Sequence, residues 1–157
     1  MQLTSVHRNE HIRIATAGPL LIVVYGDNIL PEAFEEIDRQ QGLMVARYGK
    51  ISVLSVVAGS KSMGRVRDDV KQAALDLVKK YRHDLVASAT VVPPQGFTAT
   101  IIRTFLVGFS LLAQNPYPTK VFSQVGAALT WIKQVPGQDA GFADAPEEVT
   151  ELQRFAA

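Results

Sequence analysis

The chain has 157 residues, of which 47% are hydrophobic and 20% are charged, and its formal net charge is +1. This length and composition indicate one globular domain with a buried core and exclude a wholly disordered chain. The absence of cysteine excludes disulfides, thiol nucleophiles and thiolate metal sites. Residues 1–136 carry 15 basic and 10 acidic side chains, an excess too small for the basic footprint of a nucleic-acid-binding protein.

The N-terminal sequence "MQLTSVHRNEHIR" mixes charges and lacks the apolar stretch of a signal peptide, so we expect a cytoplasmic protein. Within it, "HRNEH" at His7–His11 matches the His-x-x-Glu-His pattern of one class of zinc peptidase. That chemistry needs both histidines on one helix, with a third ligand. Because the pattern runs directly into the strand-like "IRIAT", we expect an exposed, charged segment and no metal site.

The sequences "HIRIAT" and "LLIVVYG" are rich in Ile and Val and are separated by "AGP", which predicts a β-hairpin. Apolar and polar residues do not alternate over Leu20–Tyr25, so this strand should be buried on both faces. Pro31 and the glutamates that follow predict a helix, with Phe34 and Ile37 on its inner face. Ile51–Ala58 is the next predicted strand and the best candidate for the centre of the sheet.

The clearest amphipathic helix is predicted over Val66–Arg82, and a strand follows over Leu85–Val92. A long apolar helix at Gly96–Gln114, a short strand "TKVF" and a helix at Val125–Val135 complete the pattern. The order β-β-α-β-α-β-α-β-α predicts a single α/β domain over residues 1–136, with a mixed, mostly parallel sheet.

Residues 137–157 carry five acidic side chains and one basic side chain. Such a segment is typical of a solvated, acidic C-terminal extension, with a short helix from "PEEVTELQRF".

The Gly96–Gln114 helix approaches the length of a membrane span, but Arg103 and several hydroxyl residues interrupt it, so no span is expected. Its apolar residues lie on more than one side. One alternative is a surface left for a pocket or for a dimer partner, and the other is a fully covered crossover helix. The first alternative assigns the pocket or interface to Phe105, Val107, Phe109 and Leu111.

The loop before the Val66–Arg82 helix matches only the first half of a phosphate-loop motif, over Gly59–Gly64. Arg65 stands where the motif needs lysine, and Val66 where it needs a magnesium-binding hydroxyl, so nucleotide hydrolysis is not expected. Two alternatives stay open. The bases around the helix N-terminus form a contact point for an anion or a partner, or Ser62 or a neighbour simply caps the helix.

No combination of residues points to catalysis. Ser110 lies within a predicted helix and lacks the second glycine of a nucleophile elbow. Sequence neighbours such as Glu35 and Glu36 point in different directions on a helix, and three histidines provide little acid–base chemistry. The sequence predicts a protein that is not an enzyme, with no catalytic residues, metal or cofactor.

The element order and the ending "PTKVFSQVGAALTWI" resemble the STAS-like fold of anti-sigma-factor antagonists and its lipid- or ligand-binding relatives. In those families a short last strand carries Phe, and the next helix has an Ala-Leu pair and an aromatic or apolar residue. The matching residues are Phe122, Ala128, Leu129 and Trp131, and Gly26 after the second strand is also similar. The resemblance implies a regulatory module that docks a protein partner.

The resemblance also implies where the partner docks. The family's switch serine lies at the start of the helix after the third strand, although this chain lacks the aspartate that precedes it there. The leading hypothesis is therefore an interaction module with a switch or contact site at Ser60, Ser62, Gly64, Arg65 and Arg67. The alternatives are binding of an apolar small molecule or lipid against the Gly96–Gln114 helix, and a homodimer built on that helix.

Overall fold

The computed structural model describes residues 3–26, 28–58, 67–92, 114–137 and 146–157. Within these ranges, the strands are β1 Thr4–Arg8, β2 Ile12–Ala17, β3 Leu20–Tyr25, β4 Ile51–Val57, β5 Leu85–Val91 and β6 Thr119–Phe122. The helices are α1 Pro31–Tyr48, α2 Asp68–Lys80, α3 Val125–Gln134 and α4 Pro146–Ala156. The predicted Gly96–Gln114 helix lies outside the described residues except for Gln114.

The six strands form one mixed sheet in which their order follows the sequence, from β1 to β6. β1, β2 and β3 pair antiparallel, whereas β3 to β6 pair parallel. Gly18 in the β2–β3 turn has a φ of 56°, a left-handed conformation that glycine adopts without steric cost. The α/β class and the predicted hairpin at the start of the sheet are confirmed.

α1 and α2 lie on the same face of the sheet, which we call the α1–α2 face. Connections between parallel neighbouring strands are right-handed, so helices that join strands in sequential order fall on one side. On this side, Ile37 and Met44 of α1 pack against Leu21 and Val23 of β3 and Val53 of β4.

The opposite face, the α3–α4 face, is covered by the two C-terminal helices. Leu129 and Ile132 of α3 belong to a core with Leu20, Ile22 and Leu54, the strand residues that alternate with those of the other face. β3 thus contributes side chains to both cores, which explains its unbroken apolar run.

β1 is a strand that the sequence analysis did not predict. The N-terminal segment was expected to be exposed and charged, but Thr4–Arg8 pairs with β2 and forms the edge of the sheet. Its polar residues are compatible with an edge position, where one side of the strand faces no partner strand and charge discourages aggregation. Only Val6 of β1 packs against the core of the α1–α2 face.

α2 starts later than the sequence suggests, at Asp68, and Arg67 occupies the N-cap position without making a side-chain capping hydrogen bond to the backbone of the first turn. The interpretation that Ser62 or a neighbour caps this helix is therefore wrong. The first turn is stabilised instead by Asp68 and Asp69, whose negative charges lie at the positive end of the helix dipole.

The C-terminal helix was expected within a solvated extension, but α4 is packed against the α3–α4 face. Leu152 is completely buried in that core, and Val149 and Phe155 contact it from positions three residues away on each side. The acidic composition of the segment conceals this apolar stripe, which has the spacing of one helix face.

Polar contacts also hold α4. The carboxylate of Glu148, 2% exposed, accepts a 2.9 Å hydrogen bond from the Lys133 ammonium of α3. Arg13 of β2 donates to the carbonyl oxygens of Phe155 at 3.0 Å and Ala157 at 2.8 Å. The buried carboxylate and these carbonyls therefore have partners on α3 and β2 respectively.

Packing of α4 predicts a large effect of shortening its central side chain. Leu152→Ala should lower the free energy of unfolding by about 2–4 kcal/mol, because it leaves a cavity in a closed core. Urea denaturation followed by circular dichroism measures this. The exposed neighbour provides the control, since Gln153→Ala should change stability by less than about 0.5 kcal/mol. Equal, small effects of both substitutions would contradict the packing of α4.

Candidate functional site

The candidate site is a cavity of about 170 Å³ between the sheet and the helices of the α1–α2 face. Its floor consists of side chains from β3, β4, β5 and β6 that point to this face. Phe34 and Ile37 of α1 and Val70, Ala74 and Leu77 of α2 line it from above. Protein interiors are normally close-packed, so a space of this size beneath two helices is a feature that needs an explanation.

The cavity exists because α2 is held against α1 rather than packed tightly on the sheet. Only Val70 of α2 is fully buried, while Ala74, Leu77 and Val78, which also line the cavity, are half-buried. The apolar stripe predicted for this helix is therefore present, but much of it faces the cavity.

A polar cluster fastens the two helices at the C-terminal end of α2. The Tyr81 hydroxyl donates to Asp38 Oδ1 at 2.5 Å and lies 2.9 Å from the Asp38 carbonyl oxygen. The Lys80 ammonium donates to both carboxylate oxygens of Asp38 at 2.9 Å. Burial and the Asp38 carboxylate raise the pKa of Tyr81 well above 10, so its hydroxyl keeps its proton.

Gly42 of α1 permits this close approach. A Cβ atom at position 42 would lie 3.2 Å from the Tyr81 hydroxyl oxygen, which is tighter than most real contacts of a Cβ. The glycine interrupts the helical pattern of the sequence, and the structure shows that it does so where α1 and α2 meet.

The floor of the cavity carries a group of hydroxyl side chains that we call the hydroxyl patch: Ser55, Ser88, Thr90 and Thr119. Ser55 of β4 is directly opposite Thr90 of β5, and Ser88 of β5 is opposite Thr119 of β6. Residues in the middle of parallel strands are normally apolar on both faces. Two pairs of adjacent hydroxyl residues on the same face therefore form a local polar surface within an apolar cavity.

The described residues that line the cavity are neutral apart from one. Burial raises the pKa of Tyr25 well above 10, although its hydrogen bond with the Ser55 side chain opposes this, and burial raises the pKa of Tyr117 to about 12. Among the described lining residues, Lys71 alone carries a charge, and its ammonium lies 4.0 Å from Asp68 Oδ1. Because Lys71 is exposed, its charge lies at the edge of the cavity.

This arrangement is suited to binding rather than to proton transfer. The described lining residues supply aliphatic and aromatic surface, hydroxyls and two amides, from Gln41 and Asn115. They include no carboxylate or imidazole that could act as a general acid or base near neutral pH. Small-molecule sites commonly combine a mostly apolar lining with a few polar groups of this kind.

The predicted switch site lies almost entirely outside the described part of the chain. Ser60, Ser62, Gly64 and Arg65 are outside it, and the structure describes Arg67 alone. Arg67 is exposed, and its guanidinium donates to the Asp69 carboxylate at 2.5 Å. One turn further along α2, Val70 and Lys71 line the cavity, so the end of the predicted switch site adjoins it.

The predicted apolar pocket or interface at Phe105, Val107, Phe109 and Leu111 also lies outside the described residues. The residues that carry the STAS-like resemblance are described and lie together. The rings of Phe122 on β6 and Trp131 on α3 have centroids 5.6 Å apart, and Ala128 and Leu129 are buried in the α3–α4 core.

The "HRNEH" segment forms a β-turn region rather than a helix. His7 lies in β1, and Asn9 Oδ1 accepts hydrogen bonds from the backbone N–H groups of His11 and Ile12 at 2.8 and 2.9 Å. The His7 ring lies 3.6 Å from Glu36 of α1, whereas His11 faces Glu10. Within the ranges that the structure describes, no three His, Asp or Glu side chains are grouped to hold a metal ion.

Sequence reasoning did not find the hydroxyl patch. Each member is a single small polar residue in a strand, and only the register between β4, β5 and β6 brings the four together. The signal in the sequence is weak but present, because Ser55, Ser88 and Thr90 interrupt otherwise apolar strands.

The described residues thus define an α/β protein with a mixed sheet and a neutral cavity beneath α1 and α2. No protein-family model, curated protein or solved structure matches the chain. The STAS-like resemblance therefore stays a prediction from the residues that carry it. Among the helices of the described ranges, none combines the length and apolar character needed to cross a bilayer.

The ion pair between Glu36 and Arg39 of α1 predicts that part of the free energy of unfolding depends on pH. Hydrogen bonds from Arg39, opposed by burial, lower the pKa of Glu36 from 4.5 to about 2. The charged form therefore stabilises the folded state above pH 4.5, and this contribution is lost as the pH falls toward 2. Glu36→Gln should reduce the free energy of unfolding by about 1 kcal/mol at pH 7, because the exposed Arg39 is screened by solvent.

Denaturation curves at pH 7, 4 and 2.5 measure this effect, with the exposed Glu35→Gln on the same helix as the matched control. The difference between wild type and Glu36→Gln should become smaller as the pH falls. A difference that is the same at all three pH values would contradict the electrostatic origin of the contribution.

Proposed function

We propose that this protein binds small neutral molecules of mainly apolar character in the cavity beneath α1 and α2. The observation that carries the proposal is the cavity itself, a space of about 170 Å³ whose described lining is apolar, with a patch of neutral hydroxyls on its floor. An unfilled space costs stability because its lining atoms lose packing contacts. A bound molecule would restore those contacts.

The size of the cavity limits the ligand. An engineered protein cavity of about 150 Å³ binds benzene, so a space of this volume suits a molecule of about one aromatic ring. Ligands this small bind weakly, with dissociation constants on the order of 0.1–1 mM, because few atoms contribute contact energy.

The lack of acid–base groups among the described lining residues supports a protein that binds its ligand without transforming it. In this proposal, the chain is a binding module and the ligand leaves unchanged. This is the small-ligand alternative of the sequence analysis, now assigned to the cavity of the α1–α2 face. Lipids with long chains are less suited to the described volume than single-ring compounds.

Docking of a protein partner near residues 59–67 is a second proposal, and the position of Arg67 favours it. Arg67 is exposed at the start of α2, one turn before Val70 and Lys71 of the cavity lining. A ligand that shifts the first turn of α2 would therefore also shift a partner-binding surface there. The homodimer built on the Gly96–Gln114 helix stays a hypothesis, because its residues are outside the described ranges.

Filling the cavity tests the first proposal. At a toluene concentration ten times its dissociation constant, the melting temperature of the wild type should rise by about 3–5 °C, since binding stabilises only the folded state. Ala74→Phe places a ring in the cavity and should abolish this shift. Ala73→Phe is the matched control, because Ala73 is on the same helix, half-buried, and outside the described cavity lining.

A second measurement does not depend on the stability of a variant. In wild-type protein with labelled alanine methyl groups, toluene should shift the NMR signal of Ala74 more than that of Ala73. A constant melting temperature together with unchanged alanine signals would reject ligand binding in this cavity.

Charge reversal tests the second proposal. Arg65→Glu combined with Arg67→Glu should reduce recovery of a co-purifying partner from the native cell at least tenfold, because both bases adjoin the predicted contact serines. Lys50→Glu combined with Lys79→Glu is the control, because both lysines are exposed, lie outside residues 59–67 and give the same change in net charge. Equal recovery by wild type, the double variant and the control would contradict docking at residues 59–67.

A further inference from the structure

The hydroxyl patch places hydrogen-bonding groups from three neighbouring strands side by side on the floor of the cavity. Partners in neighbouring strands have Cβ atoms about 5 Å apart, and residues two apart on one strand are separated by about 7 Å. Ser55 and Thr90 form one such pair, and Ser88 and Thr119 form the next. A ligand hydroxyl placed between Thr90 and Ser88 therefore lies nearest to the hydroxyls of β5, with Ser55 of β4 on one side and Thr119 of β6 on the other.

The chemistry of the patch favours a ligand that hydrogen bonds. Each serine or threonine hydroxyl donates one hydrogen bond and accepts up to two. A purely apolar ligand seated on the patch would displace water from these groups and replace none of the hydrogen bonds that the water makes, which costs about as much as a lost hydrogen bond. The Ser55 side chain would keep only its hydrogen bond with Tyr25. A ligand with one hydroxyl of its own replaces that water.

Asn115 supports the same conclusion independently. It lines the cavity next to Thr119, and its side-chain nitrogen lies 3.5 Å from Thr119 Oγ1. Its side-chain oxygen is buried and has no hydrogen-bond partner in the structure. This buried amide oxygen can accept a hydrogen bond from a donor that enters the cavity, such as the O–H group of a ligand or a water molecule.

Charge restricts the ligand further. Lys71 at the edge is the one charged residue among the described lining residues, and Asp68 lies 4.0 Å from its ammonium. The described residues of the cavity interior therefore offer no counter-charge for a carboxylate, phosphate or ammonium group, and burying such a charge unpaired is strongly unfavourable.

From these observations we infer that the ligand is a neutral hydroxyl compound of about the size of phenol, oriented with its hydroxyl on the patch and its apolar body beneath α2. The inference rests on the proposed function, because it specifies what the proposed cavity selects. Thr90 is the central selectivity residue, since it pairs with Ser55 and lies two residues from Ser88 on the same face.

Phenol and toluene are suitable probes because they have the same number of heavy atoms and differ in the hydroxyl. Calorimetric titration gives the ratio of their dissociation constants for wild type and for Thr90→Val, which removes the hydroxyl and keeps the shape of the side chain. The Thr90→Val variant should lower the affinity for phenol relative to that for toluene by about tenfold, as expected for the loss of one hydrogen bond. Thr16 of β2 lies on the same face of the sheet as Thr90 but outside the described lining of the cavity. The control variant Thr16→Val should therefore leave the ratio of the two dissociation constants within twofold.

The outcomes separate the inference from the proposed function. Binding of both probes with an unchanged ratio in Thr90→Val would overturn the inference and leave ligand binding in place. Binding of neither probe to the wild type would overturn both. Ser88→Ala, measured in the same way, provides a second variant and should also lower the relative affinity for phenol.

Discussion

The central constraint on this structure is that β3 is buried on both faces of the sheet. Its successive side chains enter two different cores, with Leu20 and Ile22 in one and Leu21 and Val23 in the other. β3 is also the point at which the sheet changes from antiparallel to parallel pairing. Both faces of such a strand must be covered, and the right-handed connections that follow it assign α1 and α2 to one of them.

The two faces are covered in different ways. On the α3–α4 face, Leu129, Ile132 and Leu152 are completely or almost completely buried against the strands, and the Lys133–Glu148 ion pair joins the two helices. A buried ion pair contributes little net stability but is costly to break, so it specifies how α4 sits on α3. On the α1–α2 face, the described contacts of α2 are chiefly with α1, and the described residues leave a space over the sheet.

The polar cluster of Asp38, Lys80 and Tyr81 accounts for this difference. It fixes the C-terminal end of α2 to α1 at a point where Gly42 allows close contact. Small hydroxyl residues on β4 and β5 occupy positions where larger apolar side chains would reach up toward α2. The cavity therefore follows from a strong helix–helix contact at one end and short floor side chains beneath the rest of α2, an arrangement that permits a ligand to bind without rebuilding the fold.

The α/β class, the hairpin at Leu20 and the approximate bounds of β4, β5, β6, α2 and α3 could be predicted from the sequence, because they depend on local turn residues and on hydrophobic periodicity. The edge strand Thr4–Arg8 and the packing of α4 on the core became evident only from contacts between segments distant in sequence. Polar edge strands and acidic helices with a narrow apolar stripe resemble exposed segments until their partners are known. The hydroxyl patch likewise depends on strand register, since Ser55, Ser88, Thr90 and Thr119 are separated in sequence and become neighbours only when β4, β5 and β6 pair.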